Sequence, residues 1–319
     1  MELRKDYILD RWSYISQNRG KRLNNFSSEN SVIIDHPKDC PFCKGHENMT
    51  PEEKGRIEKE KGEWLIRWLP NKYPALDLSE TGGIISDNQY FKARKSYGVQ
   101  EVIIETPDKR QMVDFSCEHL SIILRTYNHR IEELSKLKDI NYVLVFKNQG
   151  KEGGASLAHS HSQVIGVEKI PAWILTESTA FNQYKNCPYC EVIGLERNGP
   201  RNVYENNDFI AITPYAPRFN YEIWIFPKDH MKKINELSYE KYLSLADILK
   251  MILQKIQSIG ASYCFYIQYG LEDKNFHWHL EVLPRLNIQA GFELSGGDSI
   301  VSISPEEAAM FYRGEWQNF

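Results

Sequence analysis

The residues best suited to chemistry lie in the run His159-Ser160-His161-Ser162-Gln163. A strand sends alternate side chains to opposite faces, so His159, His161 and Gln163 share one face and Ser160 and Ser162 the other. Just upstream is Asn-Gln-Gly-Lys-Glu-Gly-Gly-Ala-Ser over 148–156, where Gly150, Gly153 and Gly154 let the backbone approach a ligand and turn amides toward an anion. A neutral imidazole can attack an α-phosphorus without a separate base, and the phosphoramidate it forms can pass the nucleotide on. Gln163, Ser156 and Asn148 can each donate a neutral hydrogen bond to a non-bridging oxygen. The competing readings are a metal pair for His-x-His and a plain hairpin for the glycine-rich turn.

A second chemistry is carried by the cysteines. Four of the six form two Cys-Pro-x-Cys pairs, Cys40 with Cys43 and Cys187 with Cys190, leaving Cys117 and Cys264 as singletons. In a reducing compartment such pairs read as metal sites before disulfides. The Cys187/Cys190 spacing lets two thiolates meet one tetrahedral zinc, which His230 and His277 can complete, against a competing reading of two buried thiols. Hydrophobic residues make up 41% and charged residues 26%, the balance of a water-soluble globular protein. A formal net charge of −4 gives no global reason to bind a nucleic acid or an anionic membrane, so any phosphate binding is local. The opening MELRKDYILDRW has no signal-peptide core, and no apolar run approaches ~18 residues; a cytoplasmic protein is expected.

The elements that must position these residues occur twice. The first half runs CPFC, a strand-like VQEVIIETP over 99–107, an amphipathic stretch from Glu118 to Leu137, YVLVFKNQG and HSHSQVIG. The second runs CPYC, FIAITPYAP and YEIWIFPKDH, a helical pattern from Tyr239 to Ile259, YCFYIQYG and HWHLEVLP. The shared order implies an internal duplication, with halves at 1–170 and 171–319. Few connections have room for a crossover helix, so the expected class is antiparallel α+β. The segment 171–186 is expected to be a helical joint after Pro171, and the charged run over 44–63 a solvated loop or helix.

At these residues the sequence resembles the galactose-1-phosphate uridylyltransferase branch of the histidine-triad superfamily, over nearly the whole chain. The resemblance implies two tandem histidine-triad-like halves, with His161 as nucleophile and Gln163 beside it. It implies phosphate contacts from Asn148, Gly154 and Ser156, a nucleoside contact from Asn71 in RWLPNKYPAL, and phosphate-binding roles for Arg19 and Arg22 in an opening that resembles the family's N-terminal signature. It implies zinc at Cys187, Cys190, His230 and His277, and a first site from Cys40, Cys43 and His159, where Lys109 replaces a customary histidine and His46 is a possible substitute. In the second copy His279 is followed by Glu281 where the first has Gln163; a carboxylate repels an α-phosphate, so this copy is expected to lack a nucleophile.

Specificity is less legible. The lysine and glutamine that hold hexose phosphate in uridylyltransferases are replaced by Asn287 and Ser299, and GFELSGGDSIVSISPEE looks closer to relatives that move adenylate from ADP-glucose to phosphate. Phe292 and Glu293 remain as sugar-side contacts. The expected activity is transfer of a nucleoside monophosphate between a nucleoside-diphosphate hexose and a hexose 1-phosphate, by a ping-pong route through His161. The alternatives are an ADP-sugar or dinucleotide phosphorylase, and a zinc-stabilised nucleotide-binding module without turnover. Nucleotide sugars and sugar phosphates are the expected partners, and the resemblance implies a homodimer.

Overall fold

A computed structural model describes residues 2–5, 12–15, 40–78, 83–271 and 275–315. It is α+β, with antiparallel sheets and helices. The chain divides into two compact units: Met1–Arg110, His129–Val145 and Ser156–Thr176 form the first, and Gln111–Asn128, Phe146–Ala155 and Glu177–Phe319 the second.

The first unit contains β1 (Glu2–Lys5), β2 (Trp12–Ile15), β3 (Gly55–Glu58), β4 (Trp64–Pro70), β5 (Ile84–Asp87), β6 (Lys92–Lys95) and β7 (Gly98–Ile104). Helix α1 (Cys117–Ser135) and strand β8 (Tyr142–Gln149) are each shared between the units, and β9 (His161–Val167) returns to the first. Strands β2-β1-β6-β5 make a small sheet, and β3-β4-β7-β9 run antiparallel in another. The β7/β9 register sets Val102 opposite Gln163 and Ile104 opposite His161. Directly opposed residues share a face, so Gln100, Val102, Ile104, His161 and Gln163 all project to one side. On that side Val102 and Ile104 join Phe42, Trp64 and Leu69 in a buried apolar cluster, with Cys40 packed against it. The charged run at 44–63 is a correction to the sequence reading. It holds a short 3-10 turn at Glu47–Met49 and the strand β3, whose alternating half-buried and exposed residues pair with β4. Its polar side chains mask an edge strand that half-buries only every second residue.

After α2 (Ala172–Phe181), the second unit contains α3 (Pro188–Glu196), β10 (Asn202–Glu205), β11 (Phe209–Ile212), β12 (Ile223–Pro227), α4 (Tyr239–Ser258), β13 (Tyr263–Gln268), β14 (His279–Pro284), α5 (Gly291–Gly296) and α6 (Pro305–Arg313). Its sheet order is β10-β11-β12-β14-β13, continued by the Phe146–Gln149 part of β8. Ser238 caps α4 by accepting from Lys241 N, and Leu245, Leu249, Ile252 and Ile256 recur at helical spacing as its buried stripe. Truncating any one of them to alanine would cost about 2–5 kcal/mol. Among the described residues no helix is long and apolar enough to cross a membrane.

Candidate active site and metal centres

The two faces of the HSHSQ strand do different work, as the alternation predicts. On one, Ser160 and Ser162 donate to the fully buried Glu105 carboxylate at 2.6 and 2.5 Å. On the other, His161 and Gln163 open into a cavity of about 290 Å³ that is also lined by Asn71, Ser156, Phe42 and Thr50. His161 is 7% exposed and its Nδ1 donates to the His159 carbonyl at 2.8 Å, which leaves Nε2 as the nitrogen with the lone pair. The Phe42 ring stands edge-on to the imidazole, centroids 5.3 Å apart, and fixes its plane.

The cavity's amides are held from behind. Asn71 Oδ1 accepts from Tyr73 N at 2.9 Å, leaving the Asn71 NH₂ as its donor group. Gln163 Oε1 accepts from Gln100 Nε2 at 2.8 Å, and Gln100 Oε1 accepts from Ala75 N at 3.0 Å. Gln100 and the Met49–Pro51 wall escaped the sequence reading. A polar residue inside the apolar run of β7 was the available signal for Gln100; nothing local marks the wall.

Other expected contacts belong to the second unit or lie outside the described residues. Asn148 and Gly154 belong to the second unit, where the 150–155 turn follows β8. Gly154 has φ +77° and only Asn148 Nδ2, 3.9 Å away, near where a Cβ would stand, whereas a Cβ on Gly153 would meet the Gln149 carbonyl at 2.3 Å. The turn therefore requires glycine at both positions, for different reasons. Phe292 and Glu293 lie on α5 of the second unit; Phe292 is 54% exposed, and Glu293 accepts from Ala290 N at 2.9 Å as a cap of its own helix. Arg19 and Arg22 lie outside the described residues.

Both Cys-Pro-x-Cys pairs meet histidines. In the first unit Cys40 and Cys43 Sγ stand 3.4 and 3.5 Å from His159 Nδ1, while His159 Nε2 donates to the Thr106 carbonyl at 2.8 Å. Among the described residues this group has three His, Cys or carboxylate donors. His46 does not complete it: it is not among the residues whose donor atoms lie within 4.8 Å of one another there, and its Nδ1 faces the Cys40 carbonyl at 2.8 Å. In the second unit Cys187, Cys190, His230 and His277 bring four donor atoms within 4.8 Å of one another. Cys190 Sγ is 3.4 Å from both His230 Nδ1 and His277 Nδ1, and His277 Nε2 donates to the Pro227 carbonyl at 2.9 Å. A carbonyl behind one ring nitrogen turns the other toward the thiols as a lone pair, the arrangement a metal ligand needs. Burial and the neighbouring His230 push His277 down to about 3, so it is neutral as a ligand must be. Burial and the Cys187 thiol push Cys190 up to about 12, and burial and Cys40 do the same to Cys43; a divalent cation offsets that penalty by stabilising both thiolates. The donor sets therefore fit a tetrahedral metal, closed in the second unit and three-sided in the first.

The sequence profile of the galactose-1-phosphate uridyl transferase N-terminal domain matches residues 2–171, and a domain of unknown function, DUF4921, matches residues 112–310. The chain belongs to the galactose-1-phosphate uridyl transferase family. Among its relatives, ADP-glucose phosphorylase of Arabidopsis thaliana is 32% identical over 98% of this chain and 92% of its own. The galactose-1-phosphate uridylyltransferase of Thermotoga maritima is 29% identical over 97% and 96%. Of the solved structures, the Arabidopsis ADP-glucose phosphorylase with bound ADP-glucose superposes with TM-score 0.78 at 30% identity, over 98% of each chain. A uridylyltransferase superposes with TM-score 0.80 at 26% identity, over 99% of this chain and 98% of its own.

In this family member the second copy of the strand is closed off. His279 repeats the first copy's bond, with Nδ1 on the His277 carbonyl at 3.1 Å, but its Nε2 meets Glu281 Oε1 at 3.1 Å and the ring is fully buried against Phe226. Glu281 also takes Tyr266 OH at 2.6 Å and the Arg218 guanidinium. Burial opposes the carboxylate's charge, yet His279 and Arg218 outweigh it and hold Glu281 below the ordinary range. His161 lines a cavity, whereas its counterpart His279 is fully buried with Nε2 against a carboxylate.

Proposed function

We propose that the protein is a nucleotidyltransferase that forms a covalent nucleotide intermediate on His161. One observation carries the reading: an imidazole whose Nδ1 donates to a backbone carbonyl, which makes Nε2 its basic nitrogen, lines the same cavity as Gln163, Asn71 and Ser156. In the first step Nε2 attacks the α-phosphorus of a nucleoside-diphosphate hexose, the P–N bond forms, and hexose 1-phosphate leaves with the electrons of the broken P–O bond. In the second, a phosphate oxygen of an acceptor hexose 1-phosphate attacks the same phosphorus and returns the imidazole lone pair. Gln163, Asn71 and Ser156 supply neutral donors to the non-bridging oxygens, with Asn148, Gly154, Arg19 and Arg22 as further phosphate contacts. Phe292 and Glu293 are assigned to the sugar side, and the boundary of the two tandem halves to the region near residue 170.

We assign zinc to Cys187, Cys190, His230 and His277, and a weaker site to Cys40, Cys43 and His159. There the metal anchors the chain two residues before His161 rather than activating water. Unpaired thiols in both sites suit a reducing, cytoplasmic compartment, and the active assembly is a homodimer. A second reading, in which inorganic phosphate is the acceptor and AMP the group moved, is favoured by the 32% identity to an ADP-glucose phosphorylase and by Asn287 and Ser299 in the C-terminal segment. Incubation with UDP- and ADP-sugars, then with hexose 1-phosphate or phosphate, separates the two by which nucleotide labels the protein and which acceptor removes it.

A further inference from the structure

A glutamine amide is nearly symmetric in shape, so the direction in which Gln163 points decides whether it offers a phosphate a donor or a repelling lone pair. That direction is dictated by a chain of bonds starting at the backbone. The Ala75 N–H can only donate, and it donates to Gln100 Oε1 at 3.0 Å. Gln100 must then turn its NH₂ toward Gln163, where Nε2 meets Oε1 at 2.8 Å. With its oxygen engaged, Gln163 presents NH₂ to the cavity that holds His161. The start of the chain is itself fixed, since Asn71 N donates to the Gln100 carbonyl at 2.9 Å and Ser96 Oγ to the Ala75 carbonyl at 3.0 Å. Gln100 is 4% exposed, and the β7/β9 register places it diagonal to Gln163 on the same face.

We infer that Gln100 is a positioning residue for nucleotidyl transfer, fixing the polarity of Gln163 so that the latter acts as a hydrogen-bond donor to the α-phosphoryl group. The inference rests on the function proposed above. Because Gln100 acts through Gln163, its effect must vanish when Gln163 is gone.

The test is a double-mutant cycle on the full chain, read as the single-turnover rate of nucleotidyl-enzyme formation from a UDP- or ADP-sugar and as KM. Gln100→Glu accepts from Ala75 and from Gln163 alike, which reverses Gln163 and turns its carbonyl to the phosphate. The expected loss of rate is on the order of 10²-fold, that of removing a neutral donor, with KM nearly unchanged. In a Gln163→Leu background the same substitution should slow the reaction by less than about threefold. Gln100→Leu, which adds no charge, serves if the glutamate variant does not fold, and it should show a smaller loss that also disappears in the Gln163→Leu background. Equal losses in both backgrounds, or wild-type rates in both Gln100 variants, overturn the inference. Failure of the wild-type chain to form any nucleotidyl-enzyme overturns the function instead.

Discussion

The ion pair between Glu101 on β7 and Arg130 on α1 gives a stability prediction whose size follows from its geometry. Arg130 Nε and Nη2 donate to the two Glu101 oxygens at 2.8 and 3.0 Å, a bidentate pair with side chains 4% and 9% exposed. The guanidinium also lies over the Trp68 ring, 5.7 Å from its centroid. Arg130→Met keeps much of the apolar stem but strands a buried carboxylate, a change that costs about 3–5 kcal/mol. Loss of the ring contact adds about 0.5–1 kcal/mol. At about 2–4 °C per kcal/mol for a domain of this size, the thermal midpoint should fall by roughly 7–24 °C. The double variant Glu101→Leu/Arg130→Met removes both charges and should recover to within about 1 kcal/mol of wild type. The assay is thermal and urea unfolding of the four proteins of the cycle, with transfer measured well below every midpoint, where all four should remain active. A drop below about 1 kcal/mol for Arg130→Met, or a double variant as unstable as that single one, would refute the reasoning.

Three further outcomes are expected. Cys187→Ser should shed metal and lower the thermal midpoint more than Cys40→Ser, because the second unit's site brings four donors together and the first only three; metal analysis beside calorimetry checks it. The protein should have twice the monomer mass by light scattering at micromolar concentration, and a monomer mass would remove the proposed dimer. Because Glu281 is held below the ordinary carboxylate range when folded, its stabilisation is present at neutral pH and is lost as pH falls through that range toward its folded value. Wild type should therefore lose more stability between about pH 5 and pH 3 than Glu281→Gln, and equal acid slopes would show that the pairing contributes nothing.

Local spacing carried most of what could be read from the sequence. His161 and Gln163 on one face of a strand and Ser160 and Ser162 on the other follow from a period of two, and each thiol pair from its C-x2-C spacing; the pairing of Cys40 and Cys43 with His159, 116 residues beyond Cys43, came from the family resemblance. The repeated order of elements likewise pointed to antiparallel α+β. What escaped was set by tertiary contact. Gln100 matters because β7 and β9 pair in one register, 63 residues apart in sequence. The cavity wall at Met49–Pro51 sits inside a run whose charges resemble a solvated loop, yet Glu47 accepts from Trp64 Nε1 and Glu53 accepts from the buried Arg67, tying it to β4. His46 was a possible fourth ligand from its position three residues after Cys43, but the fold does not bring its donor atoms into the group formed by Cys40, Cys43 and His159.

The central claim is the bond between His161 and the nucleotide, and intact-protein mass after incubation with a nucleotide sugar, without acceptor, tests it most directly. Wild type should gain the mass of one nucleoside monophosphoryl group and lose it when hexose 1-phosphate or phosphate is added. His161→Gly should gain nothing while keeping the wild-type metal content and thermal midpoint, since only the reacting imidazole is removed. An adduct on His161→Gly, or turnover by a wild-type protein that never carries one, would contradict the account.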